Sequence, residues 1–327
     1  MPTVDVVIVN YNAGAWLGRV VSALHAQTFR DFRAIIVDNG STDGSLDGLP
    51  EGPTSIEVLR TGANLGFAAG NNLAIRNWAK AEWLLLLNPD AFPRFDCLER
   101  LMATARSHPE YRFFGCRMLD GRDPTRLDGV GDVYHVSGLV WREGHGCADG
   151  PAYDASGEIF APCAAAALYR TRDVLDAGLF DEDFFCYVED VDLGFRLRLY
   201  GVRCLYVPDA VVEHVGSGIA GTHSDFQLYH GHRNLVWTYV KNMPGWLFWF
   251  YLPSHLLLNF ASLVAFTLGG KGGPLWRAKR DAVKGLRRAW TKRREIQQRR
   301  VLGLRDLRRA MRGGLVRKPC RERGPVA

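Results

Sequence analysis

The chain contains no CxxC pair, and its seven cysteines (97, 116, 147, 163, 186, 204 and 320) are an odd number. This spacing excludes a zinc ribbon and a small disulfide scaffold, so the cysteines are expected to be reduced, mostly buried thiols. A basic-then-apolar leader is also missing. Asp5 falls inside the first apolar run, and the body is expected in the cytoplasm. No repeat or low-complexity linker appears before residue 240, which leaves no sign of a modular array. Acidic residues are scarce only toward the C-terminus. Residues 271–327 hold 4 Asp or Glu against 20 Lys or Arg, a balance of +16, so the first 270 residues stand at −10 within a total of +6. An acidic body with a basic tail implies an anionic surface met by the tail alone. No aromatic stacking platform or groove-reading motif accompanies the tail, so nucleic acid is not the expected partner.

What is present is an alternation of apolar strands and helices. Residues 4–9, 32–37, 56–59 and 83–87 read as strands, with helical spacing at 16–26 and 68–80. This pattern predicts an open, mostly parallel α/β sheet covered on both faces, with ligands beyond the carboxyl ends of its strands. Residues 110–170, rich in glycine turns, read as hairpins and loops of the same domain. A helix is expected from Asp190 to Tyr200, a strand at 203–207 and a further helix at 226–241. The expected division is a domain at 1–242, with a nucleotide-binding part at 1–105 and an acceptor or catalytic part at 106–242. A membrane-associating region at 243–327 follows.

The polar motifs cluster where such a sheet binds ligands. Asn10 and Asn12 follow the first strand, and Asp38 closes the second in Val37-Asp38-Asn39-Gly40-Ser41. A carboxylate there can hold a base or ribose, or it can form an Asx turn. Asn64, Gly66, Gly70 and Asn71 open a helix, which suits close approach of backbone to a phosphate or ribose, or simply a capped tight loop. Asn88-Pro89-Asp90 ends a buried strand; Asp90 is a candidate ligand for a hard divalent cation, Asn88 is a weaker one, and an ordinary turn is the alternative. Glu189, Asp190 and Asp192 are three acids in four residues, a costly grouping unless a cation or a proton-accepting role compensates. A helix N-cap explains one or two of them, not all three. His214 is a candidate metal ligand or a structural histidine, and Arg233 either meets phosphate or sits solvated.

Taken in order, Val7-Ile8-Val9-Asn10-Tyr11-Asn12, Val37–Ser45, Asn64–Asn72, Leu86–Asp90, Phe180–Leu193 and Pro208–His214 resemble the family-2 glycosyltransferases, in particular their bacterial rhamnosyltransferase-like branch. The resemblance covers roughly residues 4–242. It implies a GT-A-like fold and an inverting transfer of sugar, best taken as L-rhamnose from dTDP-rhamnose, with Mg²⁺ or Mn²⁺ as cofactor. The implied donor is a dTDP- or UDP-linked sugar, and the implied acceptor a cell-surface or polyprenyl-diphosphate-linked glycan. It further implies Asp38 on the base, Asp90 and His214 on the metal, Asp190 as general base and Glu189 shaping the acceptor site. Three departures stand out. Asn88 replaces the first Asp of the usual Asp-x-Asp, Cys163 stands where a glycine is usual, and Thr171 replaces a second Arg. Within the same chemistry, a galactofuranosyl- or N-acetylhexosaminyl-transferase is an alternative. Outside it stand a nucleotidyltransferase, which would want a Gly-rich loop with an Arg after the first strand, and a non-catalytic membrane scaffold, which would not need the acidic cluster.

Residues 244–270 carry no Asp, Glu, Lys or Arg, a stretch long enough to span a bilayer. Pro253, Ser254, His255 and Asn259 interrupt it. A single crossing would also place the basic tail opposite the body, against the positive-inside tendency. A re-entrant or interfacial segment at the inner face of the cell membrane is therefore expected, with the basic tail on anionic lipid.

Overall fold

The first strand, β1 (Val4–Asn10), is buried along its whole length, as a β-branched run enclosed on both faces should be. Its side chains divide by parity. Val4, Val6 and Ile8 enter one core cluster, while Val7 and Val9 enter the cluster on the opposite face. In the computed structural model, which describes residues 2–216, 224–314 and 320, the chain continues through α1 (Ala15–His25), β2 (Phe32–Asp38), β3 (Ser55–Arg60), α2 (Gly66–Asn77), β4 (Trp83–Leu87), β5 (Ala91–Pro93), α3 (Cys97–Ser107) and β6 (Phe113–Asp120). Short strands β7 (Leu127–Gly129), β8 (Asp132–Tyr134), β9 (Val140–Arg142) and β10 (Gly157–Ile159) precede β11 (Ala166–Arg170) and α4 (Thr171–Asp176). Then come α5 (Glu189–Leu199), β12 (Cys204–His214), α6 (Asp225–Asn242), α7 (Gly245–Leu268), α8 (Gly272–Gln298) and α9 (Leu304–Ala310).

The main sheet runs β10-β12-β6-β11-β4-β1-β2-β3. Strands β3, β2, β1 and β4 are mutually parallel, and β6 and β12 are parallel to each other. Strand β11 lies antiparallel between β4 and β6. The expected open, mostly parallel α/β sheet is therefore present. In its register Asn10 lies opposite Asp38, so both end at the same rim. Gly70 lets α2 lie against β1, because a Cβ there would come within 2.9 Å of Val9.

Three expectations need correction. Residues 110–170 are more than hairpins and loops, because β6 and β11 are interior strands of the main sheet. Gly115 interrupts the run of β6, and the small alanines that open β11 give it little β-branched or aromatic signal. Strand β12 extends past the expected 203–207 to His214, through an irregularity between Val207 and Val211. Not all cysteines are thiols. Cys147 and Cys320 form a disulfide across 173 positions, a separation that leaves no spacing signature, while Cys97, Cys116, Cys163 and Cys204 are buried thiols and Cys186 a half-buried one.

The C-terminal helices complete a third core cluster. Ala289, Ile296, Leu307 and Met311 pack with Phe184, Val191, Phe195 and Trp237. Helix α7 runs on through Pro253 and is long and apolar enough to cross a membrane by length and composition. Its inner face buries Leu247, Phe248 and His255, while Trp249, Phe250, Leu257 and Phe260 are each more than 60% exposed. Helix α8 turns several cations inward. Arg293 donates to the carbonyls of Val240 and Met243, Lys292 meets Asp181 and Asp183, and Arg288 meets Asp183.

Candidate functional site

At the carboxyl ends of β1 and β2, asparagine, serine and aspartate side chains tie the loops together. Asn10 donates to Ser41 at 3.0 Å and Ser45 at 2.9 Å, and its buried Oδ1 has no partner. Asn12, at φ 51°, accepts from the Thr42 amide at 2.9 Å. Asp38 is buried and accepts from the Ser41 amide at 3.1 Å, the Asx turn weighed above. Asn39 then joins this loop to the next. It donates to Asn64 at 3.1 Å and accepts from the Leu65 amide at 2.9 Å. Asn64 in turn accepts from the Gly66 amide at 2.9 Å, at the start of α2. Gly66 has φ 85°, and a Cβ there would collide with Phe185. Asn71 donates back along its own helix to Phe67. Of the residues singled out from the sequence, Asn10, Asn12 and Asp38 thus form one loop cluster joined to Asn64 and Gly66, while Gly70 and Asn71 face the packing of α2.

Asp90, in the turn between β4 and β5, meets His214, the last residue of β12. His214 Nε2 lies 3.4 Å from Asp90, and both are buried. The other ring nitrogen is 2.8 Å from Asp128, a carboxylate also engaged by Arg142. Burial disfavours the imidazolium, but hydrogen bonds to Asp128 and Asp90 and their charges outweigh it and raise His214 to about 9. Among the described residues, no three His, Cys, Asp or Glu converge to hold a metal ion. One carboxylate and one imidazole still fit Mg²⁺ or Mn²⁺, which usually keep water and substrate phosphate oxygens as their other ligands. Asp128 holds the imidazole by its second nitrogen, the arrangement usual behind a metal-bound histidine.

The acidic motif opens α5. Asp190 accepts from the amides of Ala164 at 3.1 Å and Val191 at 2.8 Å. The neighbouring residue Ala165 accepts from the Asn88 amide at 2.9 Å. Two consecutive residues therefore join the Asn88-Pro89-Asp90 turn to Asp190. Glu189 is buried with Oε2 unpartnered, and burial followed by the charge of Asp190 pushes its carboxyl well up. Asp192 is fully buried and pairs with Arg196 at 2.9 Å and Lys241 at 2.8 Å. The approach to this helix is strained. Phe185, Tyr187 and Val188 all have positive φ, which is rare for bulky residues and clusters at functional sites. Asn234 secures it by donating to the carbonyls of Phe184, Cys186 and Tyr187, and Arg233 donates to those of Asp183 and Phe184.

A model of glycosyl transferase family 2 matches residues 5–170. The chain belongs to that family. It is 27% identical over 270 residues to the N-acetylglucosaminyl-diphospho-decaprenol L-rhamnosyltransferase of Mycobacterium tuberculosis, covering 74% of this chain and 85% of that protein. The mannosyltransferase PcManGT from Pyrobaculum calidifontis, solved with GDP-Man and Mn²⁺, superposes with a TM-score of 0.53 at 18% identity, over 90% of this chain and 85% of that one. GalNAc-T7, solved with UDP, GalNAc and Mn²⁺, gives 0.57 at 16% identity, over 73% of this chain and 47% of that one. The fold is thus GT-A-like, and this family-2 protein is a glycosyltransferase.

Sequence reasoning missed three side chains around the transferase's site. Asp128 and Asp132 lie in the glycine-rich turn read above only as a loop. Acids flanking a glycine pair, in Asp128-Gly129-Val130-Gly131-Asp132, were the available signal. Burial and then the charge of Asp190 raise the Asp132 carboxyl. Arg142, on β9, binds Asp128.

Proposed function

We propose that this transferase moves a sugar, with inversion, from a nucleotide-sugar to a hydroxyl of a glycan carried on a polyprenyl diphosphate lipid. The observation that carries this reading is the junction at Ala164 and Ala165. Through it, the Asp190 carboxylate and the Asp90 turn are held as neighbours, as a base and a diphosphate site must be. Asp190 takes the proton of the acceptor hydroxyl as its oxygen attacks the anomeric carbon, and the bond to the diphosphate breaks on the opposite side. Asp90 and His214 are the residues that would hold a divalent cation, which when bound would supply stabilisation of the charge on the departing diphosphate. Asp38 meets the base or ribose, with Asn10, Asn12 and Asn64 shaping its loops. Glu189, its carboxyl pushed up by burial and by the charge of Asp190, borders the acceptor.

The donor is read as dTDP-L-rhamnose and the acceptor as a lipid diphosphate sugar, on the likeness to the mycobacterial rhamnosyltransferase. The exposed aromatic face of α7 beside the basic face of α8 supports docking at the anionic inner leaflet rather than a crossing. Helix α8 packs back along α7, and a crossing would draw its cations into hydrocarbon. A screen of nucleotide-sugars with Mn²⁺ or Mg²⁺, read by nucleoside diphosphate release, tests the reading. Release from dTDP-rhamnose, abolished by EDTA, is expected. Release from UDP-galactofuranose or a UDP-N-acetylhexosamine instead would replace the donor, and no release from any would leave a non-catalytic scaffold.

A further inference from the structure

Helices α7 and α8 enclose a groove of about 900 Å³ that the catalytic reading leaves unused. Leu256, Phe260 and Leu263 form one wall, and Val283, Leu286 and Trp290 the other. No acidic residue lines it, but Lys279, Arg287 and Arg294 do. Lys279 is mostly buried and donates only to neutral oxygens, the carbonyl of His232 and the side chain of Asn259. Arg287 and Arg294 are exposed and have no carboxylate partner among the described residues. An apolar trough edged by uncompensated cations suits an anionic amphiphile, chain inside and head at the rim. Burial lowers Lys279 to about 8, a cost that an anion nearby would offset.

The position of the groove names which amphiphile. Helix α6 forms its floor with Val236 and Val240. Other residues of α6 hold the acidic segment: Asn234 its strained carbonyls, and Lys241 both Asp181 and Asp192. Only one helix, about 10 Å across, separates the groove from the segment that carries Asp190. We infer that the α7–α8 groove receives the polyisoprenoid chain of the acceptor lipid, with its diphosphate toward Lys279, Arg287 and Arg294. This rests on the lipid-linked acceptor reading and adds where the lipid is held.

The test uses the full chain in neutral detergent, with one sugar acceptor made on a long polyprenyl diphosphate and on a short, water-soluble one. The double variant Leu256→Trp/Val283→Trp fills the groove from exposed positions, and Arg287→Gln/Arg294→Gln removes rim charge. Wild type is expected to show a KM for the long-chain acceptor at least about tenfold lower, the worth of roughly two buried methylenes. The filled variant loses that advantage, while kcat and nucleoside diphosphate affinity stay as in wild type. The Arg double variant weakens direct binding of polyprenyl diphosphate and leaves binding of the corresponding polyprenol unchanged. Retention of the chain-length advantage by the filled variant overturns the inference. So does displacement of polyprenyl diphosphate by equimolar phosphatidylglycerol, which would make the groove a bilayer phospholipid site. Turnover by wild type without chain-length preference sinks the groove alone. If wild type turns over neither acceptor, the acceptor reading fails, and the groove is judged by direct binding, where equal affinity of wild type and filled variant for polyprenyl diphosphate rejects it.

Discussion

The donor-side loops and the acidic segment at 181–192 lie at the same rim of the sheet but are held by different forces. Around Asn10, Asn39 and Asn64 the bonds are between neutral groups, each supplied by a loop next to a parallel strand. The acidic segment instead rests on buried charge. Lys241 reaches Asp181 and Asp192 from α6, and Lys292 reaches Asp181 from α8, 111 residues along the chain. Neutral amides can be satisfied locally at little cost. Buried carboxylates need cations; Arg196 of α5 supplies one to Asp192 from within the segment, and the others come from the later helices α6 and α8. The acidic segment, the proposed acceptor side, therefore depends on the later helices in a way that the loops around Asn10, Asn39 and Asn64 do not.

The largest expected effect separates chemistry from scaffold within the acidic segment. Asp190→Asn keeps the shape and an oxygen for the amides of Ala164 or Val191, but it cannot take a proton. Turnover should fall by about 10²–10⁴-fold, with the dissociation constant for nucleoside diphosphate nearly unchanged. Turnover like wild type would reduce Asp190 to a helix cap and move the search to Glu189.

Removing the ammonium that joins the two halves of the ion network comes next. Lys241→Met leaves Asp181 and Asp192 short of a partner, and the loss of stability should be about 3–5 kcal/mol by urea unfolding. Burial by itself raises both carboxyl groups, but Lys241 and its companion cations bring them below 3.8. Their stabilisation is therefore complete above 3.8 and lost as pH falls below it toward the folded values. The acid limb of the urea midpoint against pH should flatten in Lys241→Met. Parallel curves for variant and wild type would show that the network contributes nothing to the comparison.

A smaller effect is expected at the metal pair. Asp128→Ala frees the His214 ring without touching either proposed ligand. Calorimetry should show Mn²⁺ affinity in the presence of nucleoside diphosphate lowered about 10–100-fold. Asp128→Asn, which can still accept from Nδ1, should recover part of it. Nucleoside diphosphate affinity in EDTA should not move. Equal Mn²⁺ affinity in wild type and Asp128→Ala would break the link between Asp128 and the metal site.

Much of the sheet was legible from the chain alone, because buried parallel strands must be unbroken apolar runs. The strands read at 4–9, 32–37 and 83–87 follow that rule and appear as β1, β2 and β4, and the helical spacing at 16–26 and 68–80 appears as α1 and α2, while α3 was not foreseen. Candidate residues at strand ends were legible for the same reason, since the rim is where polar residues can follow a buried run. Asp128 and Arg142 were not, because a short, glycine-broken hairpin carries no periodicity and their purpose appears only once β12 delivers His214.

By itself, the sequence determined the alternating α/β order, the polar motifs at the carboxyl ends and the apolar, then basic, C-terminal composition. These follow from local periodicity and from solvent avoidance, which act over a few residues. Tertiary structure decided which cations of the C-terminal helices face inward, how Asn234 ties down the segment in which Phe185, Tyr187 and Val188 take positive φ, and that Cys147 meets Cys320. It also decided that an apolar groove opens between α7 and α8. Those outcomes depend on partners scores of residues apart, whose pairing is set by packing and charge compensation across the folded chain rather than by any neighbouring residue.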